Sequence, residues 1–309
     1  MIERLGSRSF GLLYAANKTT YVVFGRILYC AMNDDGCDAS SSASGSARMR
    51  KSHLGALLRR WRNVRRLSQL DLALDADISM RHLSCLETGR AQASREMVLR
   101  LAEALQIPLR ERNAFLIAAG YAPLYRQTHL DALEMEAARS AVDFLIGQQE
   151  PYPALVVDRY WNILRMNAGT KRFLKLFPGC DPAARGNGVR LIFHPHGLRP
   201  FIENWEHVAA RLIQRVHREI LANPLDEKMK VFLDELLSYP AVPSRWRSLE
   251  FDGYPPPFFT IDYRWNDCTL RLFSTITSFG TSQDIELHEL RIESFFPADQ
   301  VTRATLTAI

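Results

Sequence analysis

The stretch Asp77–Arg90, DISMRHLSCLETGR, gathers polar side chains at one end of a short helical pattern. Arg81 carries a planar fork of N–H groups that matches the O6/N7 edge of guanine, while His82 and Ser79 can reach a base or a phosphate. Met80 and Cys85 share their side of the pattern, and Ile78, Leu83 and Leu86 are spaced to pack inward. Gln69, first in the preceding helical run, can aim its amide and its backbone N–H at a phosphate. Arg90 and Arg95 flank the next helix as further phosphate contacts. Each side chain alone reads equally well as an exposed helix residue. Together they suit hydrogen bonding in a DNA groove.

Such a constellation needs helices at set angles, and the surrounding spacing predicts them. Leu54, Leu57, Leu58, Trp61 and Val64 recur at helical intervals with arginines on the other face. Ser68, with Asp71 three residues on, forms a capping signal for a helix from about Gln69. A turn over Asp75–Ile78 then leads to a second helix from Ser79 to Thr88, stopped by Gly89. Ser94 opens a fourth helix, and a fifth runs from about Leu109 to Gly120. Two helices joined by a short turn, the second presenting polar groups at its start, form a groove-reading unit. From Arg50 to Arg66 lie seven basic residues with no acid between them, which points to an anionic partner.

The segment LSQLDLALDADISMRHLSCLETGRAQASREMVLRLAEAL resembles the five-helix helix-turn-helix of the XRE/Cro/CI repressor family. The resemblance implies sequence-specific binding to double-stranded DNA. It also implies an ion pair between Arg62, late in the first helix, and Glu87, near the end of the recognition helix. Asp71–Leu72 departs from the usual glutamate–leucine pair. Further matches, in PALVVDRYWNILRMN, LRPFIENWEHVAARLIQRVHRE, DELLSYPAVPSRW and FSTITSFGTSQDIELHELRIESFFPAD, narrow the resemblance to the MmyB-like subfamily. It then implies an α+β chain: a helix-turn-helix domain followed by a PAS-like mixed α/β ligand-binding domain for a fatty acid or similar amphiphile.

Past Pro151 the sequence itself changes texture. ALVVD and WNILRMN read as short strands, AGTKRFLKLF as a helix, GNGVRLIFHP as a strand or turn, and Phe201–Leu221 and Asp226–Leu237 as amphipathic helices. PFFTIDYRW, CTLRLFSTITSF and DIELHELRIESFF read as a closing three-stranded meander. Trp161, Phe173, Trp205, Phe232, Trp246 and Phe273 supply enough aromatic wall for an apolar pocket, although each equally suits an ordinary core. Arg199 and Asn204, at the start of the LRPFIENW helix, are the expected anchors for a carboxylate, with His194 and Asn167 as second choices. The expected boundaries are an N-terminal extension over 1–49, a DNA-binding domain over 50–126, a linker helix over 127–150 and a ligand-binding domain over 151–309. A homodimer follows from the need to set two recognition helices about one helical turn apart, and the linker helix is the expected transmitter.

Composition removes other classes. Five scattered cysteines with no CxxC pair argue against a disulfide framework and a zinc site and fit the cytoplasm. YVVFGRILYCAM is too short to span a bilayer and contains Arg26. NDDGCDASSSASGSAR cannot offset its ordering entropy, so residues 1–48 read as a disordered or non-native extension with Met49 a sensible start. His194 and His196 lack a nearby third ligand, and no GxSxG, HExxH or phosphate-binding loop is present, so no metal and no catalysis are expected. A rival reading keeps the DNA-binding unit but makes the C-terminal domain an adaptor for a protein partner.

Overall fold

A computed structural model of the chain describes residues 43–179, 186–247, 259–280 and 282–309, with side chains from residue 53 onward. The expectations for residues 1–42 lie outside the described residues. Helix α1 (Ala43–Val64) begins inside the Ser/Ala-rich run, ahead of the expected boundary at Arg50. Once the apolar stripe from Leu54 is buried, the helix is nucleated, and each residue added back toward Ala43 gains a hydrogen bond without a new nucleus. Helices α2 (Gln69–Asp75), α3 (Met80–Glu87), α4 (Arg95–Ala104) and α5 (Leu109–Ala118) complete the bundle. Its core holds Leu58, Trp61, Leu72, Leu83, Leu86, Leu101 and Leu105, all essentially inaccessible to solvent.

Local chemistry sets these boundaries. Ser68 Oγ accepts from the Asp71 backbone N–H while Asp71 returns a bond to that of Ser68, a complete capping box. Ser79 and Ser94 cap α3 and α4 by accepting from the N–H groups of His82 and Met97. Asp77 closes the α2–α3 turn at φ 52, in the left-handed region that a short polar side chain tolerates. Gly55 brings α1 against α3: a Cβ there would lie 2.5 Å from the Glu87 carbonyl oxygen. That crossing requires glycine.

Downstream, a 3-10 turn (Leu133–Met135) precedes α6 (Glu136–Gln148), β1 (Ala154–Val157), β2 (Ile163–Met166), α7 (Ala168–Lys175) and α8 (Gly188–Phe193). Helices α9 (Trp205–Ala222) and α10 (Glu227–Ser238), strands β3 (Ile261–Trp265) and β4 (Cys268–Ser278), α11 (Ile285–Glu289), β5 (Arg291–Pro297) and α12 (Gln300–Ala308) follow. The five strands form one antiparallel sheet in the order β2-β1-β5-β4-β3. The mixed α+β class is thus observed, with helices on both sheet faces. Val142 and Ile146 of α6 cover one face, against Ala154, Val156 and Ile292. Leu155, Val157, Tyr263 and Leu272 face the main core, closed by α7 to α10.

Four segments differ from expectation, each because of specific hydrogen bonds. GNGVRLIF is helical because the Asn187 side chain accepts from the N–H groups of Val189 and Arg190. A short apolar run does not distinguish strand from helix, and here the cap decides. Asp284 likewise caps α11 inside DIELHE, so β5 starts only at Arg291. Helix α9 starts at Trp205 and not Phe201, because the Glu203 N–H donates to the Asp262 carbonyl and Asn204 bonds across to Thr260 and Asp262. Residues 127–132 do not join α6: the N–H groups of Thr128 and Leu130 donate to the side chains of Asp284 and Glu286.

Candidate nucleic-acid interface and ligand cavity

Helix α3 stands on a carboxylate. Glu87, its side chain 1% exposed, accepts from Arg62 Nε at 2.6 Å and Nη2 at 3.1 Å and from Gln69 Nε2 at 2.8 Å. Arg59 adds a bond to the Glu87 carbonyl at 3.2 Å. Burial pushes the Glu87 carboxyl up, but the hydrogen bonds from Arg62 and Gln69 and the nearby arginine charges outweigh it and leave it below the usual glutamate range. One buried charge therefore joins α1, α2 and α3. Gln69, read from the sequence as a phosphate contact, has its amide committed to this joint.

With α3 oriented in this way, Ser79, Met80 and Arg81 are exposed, and His82 and Cys85 are partly buried. Arg90, in the turn before α4, and Arg95, the first residue of α4, are also exposed. The side chains of Arg81, Arg90 and Arg95 form no hydrogen bond or ion pair among the described residues. Their guanidinium groups are available to an outside acceptor. The basic run divides by role: Arg62 of α1 serves Glu87, and Arg65, in the turn after α1, donates to the carbonyls of Leu105, Gln106, Leu221 and Ala222. Those two arginines face inward, not toward an anionic partner.

The main core of the sheet domain borders a partly open cavity of about 90 Å³ between the sheet and helices α7 to α9. Trp161, Phe173, Leu212, Tyr263 and Leu272 are among its apolar walls; Arg215 and Glu293 also line it. Arg215 lies on α9 with its guanidinium 5.5 Å from the Trp161 ring centroid, and Arg291 approaches the same ring at 5.6 Å. Arg215 has no hydrogen bond or ion pair among the described residues, and burial pushes its pKa down. Burial pushes the Glu293 carboxyl up, only partly offset by a 2.7 Å bond from Ser274 Oγ and by the charges of Arg215 and Arg291. The cavity thus pairs apolar walls with one cation that lacks a hydrogen-bonding partner among the described residues and one carboxyl whose pKa burial raises.

Trp161 reaches this position through a strained turn. Its φ is 61, and it is 2% exposed. Asp158 fixes the turn by accepting from the N–H groups of Tyr160 and Asn162, and the ring stacks on Phe232 at 6.0 Å. A bulky residue in the left-handed region persists only where its surroundings over-determine it.

Of the ligand residues read from the sequence, Trp161 and Phe173 line the cavity. Arg199 lies 3.8 Å over the Trp205 ring and donates to the Pro240 carbonyl. Asn204 bridges to Thr260 and Asp262, and the Trp205 indole donates to Ile192. Asn167 is buried, capping α7 and accepting from Ala154. His194 meets Tyr239 edge-on, Trp246 packs near Trp205, and Phe273 stacks on Phe296 on the opposite sheet face. Arg215 and Glu293 escaped notice because a charge in an amphipathic helix or an alternating strand reads as solvent-facing. Among the described residues no group of three or more metal-ligating side chains occurs, and no helix is long and apolar enough to cross a membrane.

A helix-turn-helix with an open recognition helix, joined to a sheet domain with a cavity, defines the class: a DNA-binding transcription regulator. Residues 53–115 match a helix-turn-helix domain profile, and residues 138–309 match the MmyB-like transcription regulator ligand binding domain. The second match spans more than half of the chain, and the chain belongs to that family. Among solved structures, the clp gene regulator ClgR from C. glutamicum is 31% identical over 23% of this chain and 88% of its own, with a TM-score of 0.21. An RNA-binding Light-Oxygen-Voltage receptor aligns at 11% identity over 86% of this chain and 64% of its own, with a TM-score of 0.24. No curated protein matches.

Proposed function

We propose that this cytoplasmic regulator binds DNA as a homodimer and that its C-terminal cavity takes a small amphiphile with a carboxylate head, such as a fatty acid. The observation that carries the reading is Arg215, a partly buried cation facing an apolar cavity with no hydrogen-bond or ion-pair partner among the described residues. A carboxylate supplies the missing acceptors in bidentate form, with Glu293 beside it in the cavity wall. The role first assigned to Arg199 and Asn204 passes to Arg215, since both of the former are engaged elsewhere. On the DNA side, Arg81 forks onto a guanine edge, Ser79 and His82 reach a base or phosphate, Met80 and Cys85 pack on the groove wall, and Arg90 and Arg95 hold phosphates. The reading assigns binding and no turnover; both matched profiles are regulator domains.

Size constrains the ligand. Ligand pockets run from roughly 300 Å³ upward, so the cavity of about 90 Å³ widens to admit more than a short chain. Burial of about six methylenes supplies roughly 5 kcal/mol toward that widening. The test compares straight-chain carboxylic acids with the matching alcohols, by calorimetric titration of the full chain and its Arg215→Met variant. Acids are expected to bind at least tenfold tighter than alcohols, and Arg215→Met to erase the difference. Equal affinity for acids and alcohols in the wild-type chain rules the head-group assignment out.

A further inference from the structure

The two elements that carry the cavity's charged residues both run on to the DNA-binding domain. Helix α9 holds Leu212 and Arg215 in the cavity wall, and one turn later Glu219 accepts from Arg291 at 2.6 Å. At its C-terminus Arg65, in the turn after α1, donates to the carbonyls of Leu221 and Ala222 at 2.9 and 2.7 Å. A cation on the last carbonyls is favourable at a helix C-terminus. The same guanidinium binds Leu105 and Gln106 at the α4–α5 junction, so one side chain joins both domains. Leu225, just past α9, packs against the helix-turn-helix core, and Asn223 Nδ2 meets Glu111 of α5.

The second element is β5. It places Glu293 in the cavity wall, and two residues earlier Arg291 binds α9. Immediately before it, Glu289 forms a two-pronged ion pair with Arg110 of α5, at 2.8 and 3.1 Å, and also accepts from Arg159. None of these hydrogen bonds and ion pairs touches α2 or the exposed start of α3. They grip the bundle at the turn after α1, the α4–α5 junction and α5.

We infer that this grip is the regulatory coupling: a ligand that widens the cavity displaces α9 from β5 and loosens the Arg65 and Arg110–Glu289 contacts, freeing the DNA-binding domain. The inference rests on the reading that the cavity takes a ligand. It follows from the volume: a cavity of about 90 Å³ fills with an acyl chain only if its walls part, and close-packed walls shift as units. A ligand regulates only through the difference in its affinity for the gripped and freed states.

The test uses the full chain, a duplex selected from random DNA, and decanoate as the probe. Decanoate is expected to change the Kd for the duplex at least fivefold. The double variant Arg65→Lys/Glu289→Gln, which cannot hold either grip in full, is expected to show without decanoate the Kd that the wild type shows at saturation. It also retains decanoate binding and no longer responds to it. Glu289→Gln alone, outside the helix-turn-helix, checks for a folding defect and is expected to move partway. A variant that responds to decanoate as the wild type does overturns the coupling, and so does a wild type that binds decanoate with no change in Kd. If decanoate does not bind, the ligand reading is at fault. In that case Leu212→Phe, which adds volume inside the cavity, stands in for it, and a duplex Kd unchanged by both Leu212→Phe and the double variant overturns the coupling.

Discussion

Glu87 and Glu293 show how one residue type acquires opposite roles from its surroundings. Glu87 is buried among donors that favour its charged form; Glu293 lies where burial outweighs them. Glu87→Ala strands Arg62 and Gln69 at a three-helix joint and is expected to cost about 3 kcal/mol in urea denaturation. Because the folded pKa of Glu87 is lowered, its contribution is present above the ordinary glutamate range and fades as pH falls through the lowered value. Glu293 has the reverse sign: its folded pKa is raised, so its penalty is absent in acid and develops as pH rises from the ordinary glutamate value through the raised one. Glu293→Gln is therefore expected to melt higher than wild type at neutral pH and equally at acid pH. At the DNA face, Arg81→Ala is expected to cost 1–3 kcal/mol, roughly, and to relax the preference at one base position. Arg95→Ala is expected to weaken all sequences alike and reduce the salt slope by about 1. A salt titration on matched and mismatched duplexes separates the two.

At the scale of elements, legibility depended on whether the signal was local. Ser68, Ser79 and Ser94 announce helices through hydrogen bonds made within three residues, and the structure shows those bonds. Ser79→Ala is expected to lower stability by about 1 kcal/mol in thermal melts. Gly55 gives no such local signal, because its constraint is the Glu87 carbonyl of another helix. Gly55→Ala is expected to cost about 2 kcal/mol through overpacking, measured in the same way. The misread segments have nonlocal causes or small ones: a single asparagine cap at Asn187, a single aspartate cap at Asp284, and cross-links from Asn204 to β3. Arg215 shows the limit most clearly. Helix α9 is packed on more than one side, so a charge that periodicity assigns to solvent points instead into a cavity.

For the whole molecule, the family-level architecture was legible because it rests on long patterned stretches, whereas the cavity was not, since its walls come from all five strands and three helices far apart in sequence. The interdomain grip was equally hidden: Arg65 belongs to a basic run that reads as DNA-facing, and its partners are backbone carbonyls of a helix well over a hundred residues away. The central claim is that the C-terminal cavity of a DNA-binding regulator houses a small amphiphile. Native mass spectrometry of the purified full chain, before and after solvent extraction, tests it most directly. The account predicts a dimer carrying a small acid that extraction removes and that Arg215→Met fails to retain. A chain free of any adduct that also binds no added carboxylic acid, wild type and variant alike, contradicts it.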